Sequence, residues 1–338
     1  MTKLRRLSNL AAAAGAFLIA FGFLARTAPL LDQDERMLRQ WPTEDGYLML
    51  TIARNMALGN GMSTADGELP TNGTQPLATS IWSLVFAAVD ADKETGVFLV
   101  LCIELALSLL AAYLLYRIAR NVFREIDVDP QWAWLVAGLW YASGNTIHHS
   151  MNTLESGLYV TLVMLFVLIC QGQVTQLSKT EGRLSWASAG LMSFVLALCF
   201  YARNDAALLI AAFCGTYVLF GIGSIASFKD RFIKAFCIGA GTIVLSLPWL
   251  LYNVTQFGHL MPISGVAQSA ASGFGDNAYQ IPIVLTEYLA IVVPIPQVFE
   301  GQPVLTALLS VALLIAAGAL VLRILKLPLA LRYLCLLY

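Results

Sequence analysis

Residues 184–226 form one long apolar run, broken only by Ala202-Arg203-Asn204-Asp205. A helix needs about 20 apolar residues to cross the hydrocarbon of a bilayer, so this run has the size of two crossings joined by a tight corner. Lipid offers no partner to exposed N–H and C=O groups, and open sheets therefore cannot cross it. An outer-membrane barrel would need alternating segments of roughly 10 residues, and these runs do not alternate. Of the 338 residues, 58% are apolar and only 12% charged, where soluble domains carry roughly 25% charged residues. The expected fold class is all-α, a polytopic transmembrane helical bundle.

The apolar runs place spans near 10–31, 95–117, 131–147, 155–171, 184–202, 205–226, 235–253 and 303–322, in a single transmembrane domain over 1–338. A further apolar piece, 327–338, is too short to cross. The first run follows Lys3, Arg5 and Arg6 and extends to Leu31 with no small-residue cleavage site before Asp32. It reads as an uncleaved signal anchor whose N-terminus faces the cytoplasm. Alternating the spans from there puts 14 of the 20 Lys and Arg inside and six outside, and five acids inside against 15 outside. The inside then carries +9 and the outside −9, the bias expected of a membrane protein. Leu77–Val89 and Ile281–Pro296 are apolar but short. Either one crossing alone would invert every later basic cluster, so both are expected to be interfacial or re-entrant helices. Two large extracytoplasmic loops remain, 32–94 and 254–302.

The six cysteines, Cys102, Cys170, Cys199, Cys214, Cys237 and Cys335, all lie in apolar runs. They read as packing residues and not as a disulfide framework or zinc site. Polar chemistry collects instead on the extracytoplasmic side. WPTEDGYLMLTIARNMALGNG, residues 41–61, predicts a helix from near Asp45 to the stop at Gly59-Asn60-Gly61. Asp45, Met49, Ile52 and Met56 share one face, and Arg54 points nearly the opposite way. Asp45 is therefore a carboxylate aimed at the membrane boundary, or else Thr43 or Asp45 merely caps the helix. Arg203 at the 202–205 corner either binds a phosphate or pairs locally with Asp205. Glu155 stands at the mouth of a span beside His148-His149, whose adjacency is poor metal-ligand spacing. Glu104 lies mid-span, where an acid is costly: it is functional or hydrogen-bonded to a neighbouring helix. Asn72-Gly73-Thr74 and Asn253-Val254-Thr255 are formal glycosylation sequons, meaningful only in a secretory compartment. No phosphate loop, dinucleotide fingerprint, HExxH or nucleophile elbow is present.

Taken in order, these pieces resemble the C superfamily of glycosyltransferases, in particular the bacterial family 39-like and arabinofuranosyltransferase-like membrane enzymes. The likeness is carried by Glu44-Asp45-Gly46-Tyr47, Ala53-Arg54-Asn55, Gly59-Asn60-Gly61 and Asn72-Gly73-Thr74-Gln75-Pro76-Leu77 in the first outer loop. It continues in Asn152-Thr153-Leu154-Glu155-Ser156-Gly157, Tyr201-Ala202-Arg203-Asn204-Asp205, and Pro248-Trp249 through Phe257-Gly258 and Pro262. It covers about residues 10–265. The sequence departs from the pattern in three places. The Trp that usually follows Pro-Leu directly is delayed to Trp82, Asn204 replaces a Pro, and Gln268 stands near where a basic residue is often found.

The resemblance implies a GT-C-like bundle with interfacial helices in its outer loops. It implies transfer of a sugar from a polyprenyl-phosphate donor to an extracytoplasmic glycan, lipid or protein acceptor, by one inverting displacement at the inner (plasma) membrane. Asp45, with Glu44 beside it, would be catalytic, Asp45 as general base. Arg203, Asp205, Tyr47, Arg54, Gln75 and Glu155 would contact substrate. No cofactor is firmly implied; a divalent metal stays open as an alternative but is not supported by the ligand spacing, and no nucleic acid is expected. Members usually continue well beyond this length, so a further outer domain is expected to be missing. Two rival readings are a transporter or flippase of a lipid-linked substrate and an inactive scaffold subunit. A transporter usually shows repeats and broken polar helices at the midplane, whereas here only Glu104 is clearly deep.

Overall fold

A computed structural model describes residues 2–32, 34, 41–177, 184–221 and 226–266, with isolated residues between 311 and 322. Among these residues the regular secondary structure is all helical, apart from one isolated bridge between Ser63 and Pro70. The helices are α1 (Thr2–Leu31), α2 (Glu44–Ala57), α3 (Pro76–Ala88), α4 (Lys93–Glu125), α5 (Trp132–Ala142), α6 (Gly144–His149), α7 (Ser156–Leu177), α8 (Trp186–Ala202), α9 (Ala206–Phe220) and α10 (Phe228–Phe257). Four of them, within α1, α4, α7 and α10, are long and apolar enough to cross a membrane, the make-up of a multi-pass membrane protein. The expected segments at 281–296 and 327–338, most of 303–322, and Gln268 lie outside the described residues.

The long helices overrun their apolar stretches at both ends. Polar caps explain this: Asp92 accepts from the Thr95 amide at the start of α4, and Ser227 from the Asp230 amide at the start of α10. The expected span at 131–147 is divided. Ser143 adopts extended backbone (ψ 134) between α5 and α6, so α5 has only 11 residues. The expected span at 205–226 stops at Phe220, where Gly221 takes φ 67, a conformation that costs glycine little. Leu77–Val89 forms α3, whose 13 residues extend about 20 Å, short of the hydrocarbon thickness.

Close backbone approach holds α1 to α5. A Cβ on Gly15 would lie 2.2 Å from the Trp134 carbonyl, and one on Gly138 would lie 2.5 Å from the Gly15 carbonyl oxygen. In lipid there is little hydrophobic drive between helices, so such small-residue contacts supply the dispersion that keeps them together. Elsewhere larger side chains interlock. Phe166 of α7 meets Phe213 of α9 edge-on at 4.9 Å between ring centroids.

The polar contacts sort into two ends. At one end, Ser8 and Arg5 of α1 face Asp129 after α4, and Asn121 of α4 bonds Gln171 of α7 at 3.0 Å. The Lys234 ammonium lies 3.1 Å over the Trp186 ring. At the other end, Arg26 bonds Ser150, Thr43 meets Asn152, Gln75 meets Asn204, and Asn72 meets Asn253. Gly67 at φ 90 would strain a cysteine, so exposed Glu68 is the better probe of the outer loop. In a cysteine-free background, a cysteine at Glu68 should label only from the extracytoplasmic side and one at Lys229 only from the cytoplasm. Labelling of the Glu68 site from the cytoplasm would overturn the topology.

Candidate functional site

The start of α2 is anchored by its neighbours before its acids come into play. Thr43, not Asp45, supplies the cap: its hydroxyl accepts from the Gly46 amide at 3.2 Å. The same Thr43 donates from its backbone N–H and its hydroxyl to the Asn152 carbonyl, each at 3.4 Å. Gly46 is pressed onto that turn. A Cβ there would lie 2.3 Å from both the Asn152 carbonyl oxygen and the Thr153 hydroxyl. Met49 and Ile52 bury the apolar face of α2, and Glu44 and Asp45 stand exposed at its first turn. The expected shared face thus holds for the apolar residues, with Asp45 where that face emerges into solvent.

The turn that receives α2 is itself under strain. Thr153 takes φ 62, a left-handed conformation that costs a β-branched residue on the order of 1–3 kcal/mol. Its hydroxyl donates to the Asn152 carbonyl at 2.7 Å, and the Leu154 amide donates to the Asn152 side-chain oxygen at 3.2 Å. Its own amide donates to Glu104 Oε2 of α4 at 3.0 Å. Of the alternatives for Glu104, the structure therefore shows the hydrogen-bonded one, with the partner a loop amide.

Two residues on, Glu155 receives Arg203 Nη1 at 3.1 Å. Arg203 also holds Asp205 in a fork, Nε to Oδ1 at 3.0 Å and Nη2 to Oδ2 at 3.0 Å. The expected local pair with Asp205 is thus present, joined by Glu155. Asp205 is largely exposed and the Arg203 side chain is 36% exposed, so this fork contributes little stability. Burial pushes the Glu155 carboxyl upward more than the Arg203 charge pulls it down, and the charges of Asp205 and Asp45 add to the upward shift. Asp205 holds the guanidinium firmly in its charged form. Asn204 stands at the corner where the resembled pattern has Pro. It donates to Gln75 Oε1 at 3.3 Å and accepts from the Trp249 indole at 3.0 Å. It thus ties the corner to the start of α3 and to α10.

Asp45, Gln75, Glu155, Arg203 and Asp205 are in this way brought to one place. Arg54 is not: its Nε donates to the Ala91 carbonyl at 2.7 Å in the α3–α4 turn, near Asp92. Tyr47 lies at the surface of α2, 36% exposed. Glu44 stands exposed beside Asp45 at the first turn of α2. His148 and His149 are exposed with rings edge-on. Among the described residues no group of three or more His, Cys, Asp and Glu is arranged to hold a metal. A cavity of about 150 Å³ opens beside the Glu155 turn, lined by Trp140, His149, Ser156 and Val160 among others.

Sequence reasoning missed Thr43, Asn152, Asn204 and Trp249 as parts of one framework. The usable signal was Gly46: a glycine in the first turn of a helix is unfavourable unless another backbone approaches there.

Both sequons are closed. Asn72 donates through Nδ2 to Asn253 Oδ1 at 3.0 Å and accepts the Ile263 amide at 2.9 Å, while Asn253 Nδ2 donates to the Leu260 carbonyl at 3.2 Å. Both side chains are fully buried. Neither should carry a glycan in folded protein made in a secretory host. Asn72→Ala should lower stability by about 1–3 kcal/mol, because it strands buried partners. A thermal melt in detergent measures this, and an unchanged midpoint would show that the clamp is not structural.

No protein-family model, no curated protein and no solved structure matches this chain.

Proposed function

We propose that this chain is a membrane glycosyltransferase of the GT-C type, moving a sugar from a polyprenyl-phosphate donor to an extracytoplasmic acceptor with inversion. In this reading α2 and α3 lie along the outer membrane boundary and the donor's phosphate enters from the bilayer. The supporting observation is the convergence of Asp45, Gln75, Glu155 and Arg203, from four segments distant in sequence, at one end of a membrane bundle. The resemblance suggests the reaction class, and the convergence of these side chains supports the roles given to them here.

The acceptor hydroxyl attacks the anomeric carbon as the bond from that carbon to the phosphate oxygen breaks. Asp45 takes the proton of the attacking hydroxyl, a role worth typically 10²–10⁴-fold. Thr43 already caps α2, which leaves the Asp45 carboxylate available for this task. The negative charge that develops on the departing phosphate falls to Arg203. Glu155 and Asp205 hold the guanidinium until the donor arrives. The cavity beside Glu155 is apolar enough to take a segment of the donor's hydrocarbon. A transporter reading is less well supported, since the one deep acid, Glu104, already accepts a loop amide.

Purified protein incubated with a panel of polyprenyl-phosphate sugars should consume one of them. Asp45→Asn should then lose turnover by on the order of 10² or more with donor binding largely kept. Arg203→Gln should weaken donor binding and turnover together. Normal transfer by folded Asp45→Asn would remove the general base from the mechanism.

A second outcome concerns pH. The donor is a phosphate diester and keeps its single negative charge across the range. Burial raises the Glu155 carboxyl from its ordinary value. As pH falls through that raised value Glu155 becomes neutral, and Arg203 Nη1 loses a competing anion. Donor binding should therefore tighten as pH falls and weaken as it rises. Glu155→Gln should bind well throughout with this pH dependence flattened. A dependence that survives Glu155→Gln would assign the titration to another group.

A further inference from the structure

We infer that Glu104 is a positioning residue, setting Asp45 against Glu155 and Arg203 from inside the membrane through the Asn152–Thr153 turn. The inference rests on the transferase reading above for its consequence, but its structural core does not.

An acid buried to 1% exposure in the middle of a membrane helix is unfavourable unless something needs it. Glu104 is a poor choice for bundle stability alone: its Oε1 has no hydrogen-bond partner among the described residues. Its other oxygen, Oε2, receives the Thr153 amide at 3.0 Å. That amide sits in a buried turn outside any helix, where an unpaired N–H is costly. The bond also holds Thr153 at φ 62. This conformation turns the Asn152 carbonyl and the Thr153 hydroxyl toward α2.

Three contacts then transmit the position. The Asn152 carbonyl receives the Thr43 amide and hydroxyl, and Gly46 closes onto Asn152 and Thr153 with no room for a Cβ. Asp45 lies between Thr43 and Gly46 in the chain and cannot shift while both are seated. In the other direction, Glu155 follows Thr153 by two residues and meets Arg203 at 3.1 Å. One buried carboxyl oxygen thus sets the spacing between the base and the phosphate-binding corner. Misplacement of reacting groups by about 1 Å can cost on the order of 10²-fold in rate.

The role requires an acceptor at this point and not a charge. Glu104→Gln keeps an oxygen for the Thr153 amide, whereas Glu104→Leu fills the volume and removes the acceptor. Hydrogen–deuterium exchange should be measured on both variants over 43–50, 150–158, α4 and α7. Glu104→Leu should speed exchange in 150–158 and 43–50 together and lower turnover by on the order of 10²-fold. Glu104→Gln should preserve both. A purely packing role predicts faster exchange in α4 and α7 with α2 unaffected, and that result would overturn the inference. So would a Glu104→Gln variant as impaired as Glu104→Leu. If Glu104→Leu does not fold, Glu104→Asp retracts the acceptor by one methylene and should loosen the same two stretches. Unchanged exchange in 43–50 would again overturn the proposal. The exchange readout needs no transfer reaction, so it stands even if no donor is consumed.

Discussion

Wherever this chain leaves a helix, its backbone groups must find partners that lipid cannot supply. That requirement organises the end of the bundle where the candidate site lies. The Thr153 amide is met by Glu104, the Asn152 carbonyl by Thr43, and the Tyr141 carbonyl, at the end of α5, by the Arg26 guanidinium at 2.9 Å. Each solution draws a polar side chain from a distant segment. The breaks between helices therefore become the points where the chain is tied together. Asp45 and Glu155 each stand within two residues of one of those ties.

Arg26 illustrates how far this goes. It is fully buried, bonds Ser150 and the Gly22 and Tyr141 carbonyls, and stacks over the Tyr141 ring at 4.0 Å. It secures α1 to the α5–α6 break that opens the 150–155 turn. Gly15, Gly22 and Gly138 add close contact between α1 and α5. Membrane packing, backbone satisfaction and the placement of Asp45 are one continuous set of contacts.

The Arg203 corner follows a different logic. Its fork to Asp205 is exposed and energetically slight. The lasting constraint there is Asn204, held from both sides by Gln75 and Trp249. The corner is thereby tied down while the guanidinium itself remains partly exposed.

The apolar runs by themselves determined that the chain is a membrane-crossing helical bundle, because length and hydropathy are local properties that the bilayer reads directly. The charge separation likewise determined which polar segments share an end. The sequence also held both alternatives for Asp45, for Arg203 and for Glu104, and spacing could not choose among them. Tertiary structure supplied the contacts made at each of them. Thr43 took the cap of α2, Arg203 gained Glu155 beside Asp205, and Glu104 found the Thr153 amide. It also sent Arg54 to the α3–α4 turn and divided the run at 131–147. The physical reason is the same throughout: a hydrogen-bond partner far away in the chain leaves no periodicity in the sequence and exists only once the helices have packed.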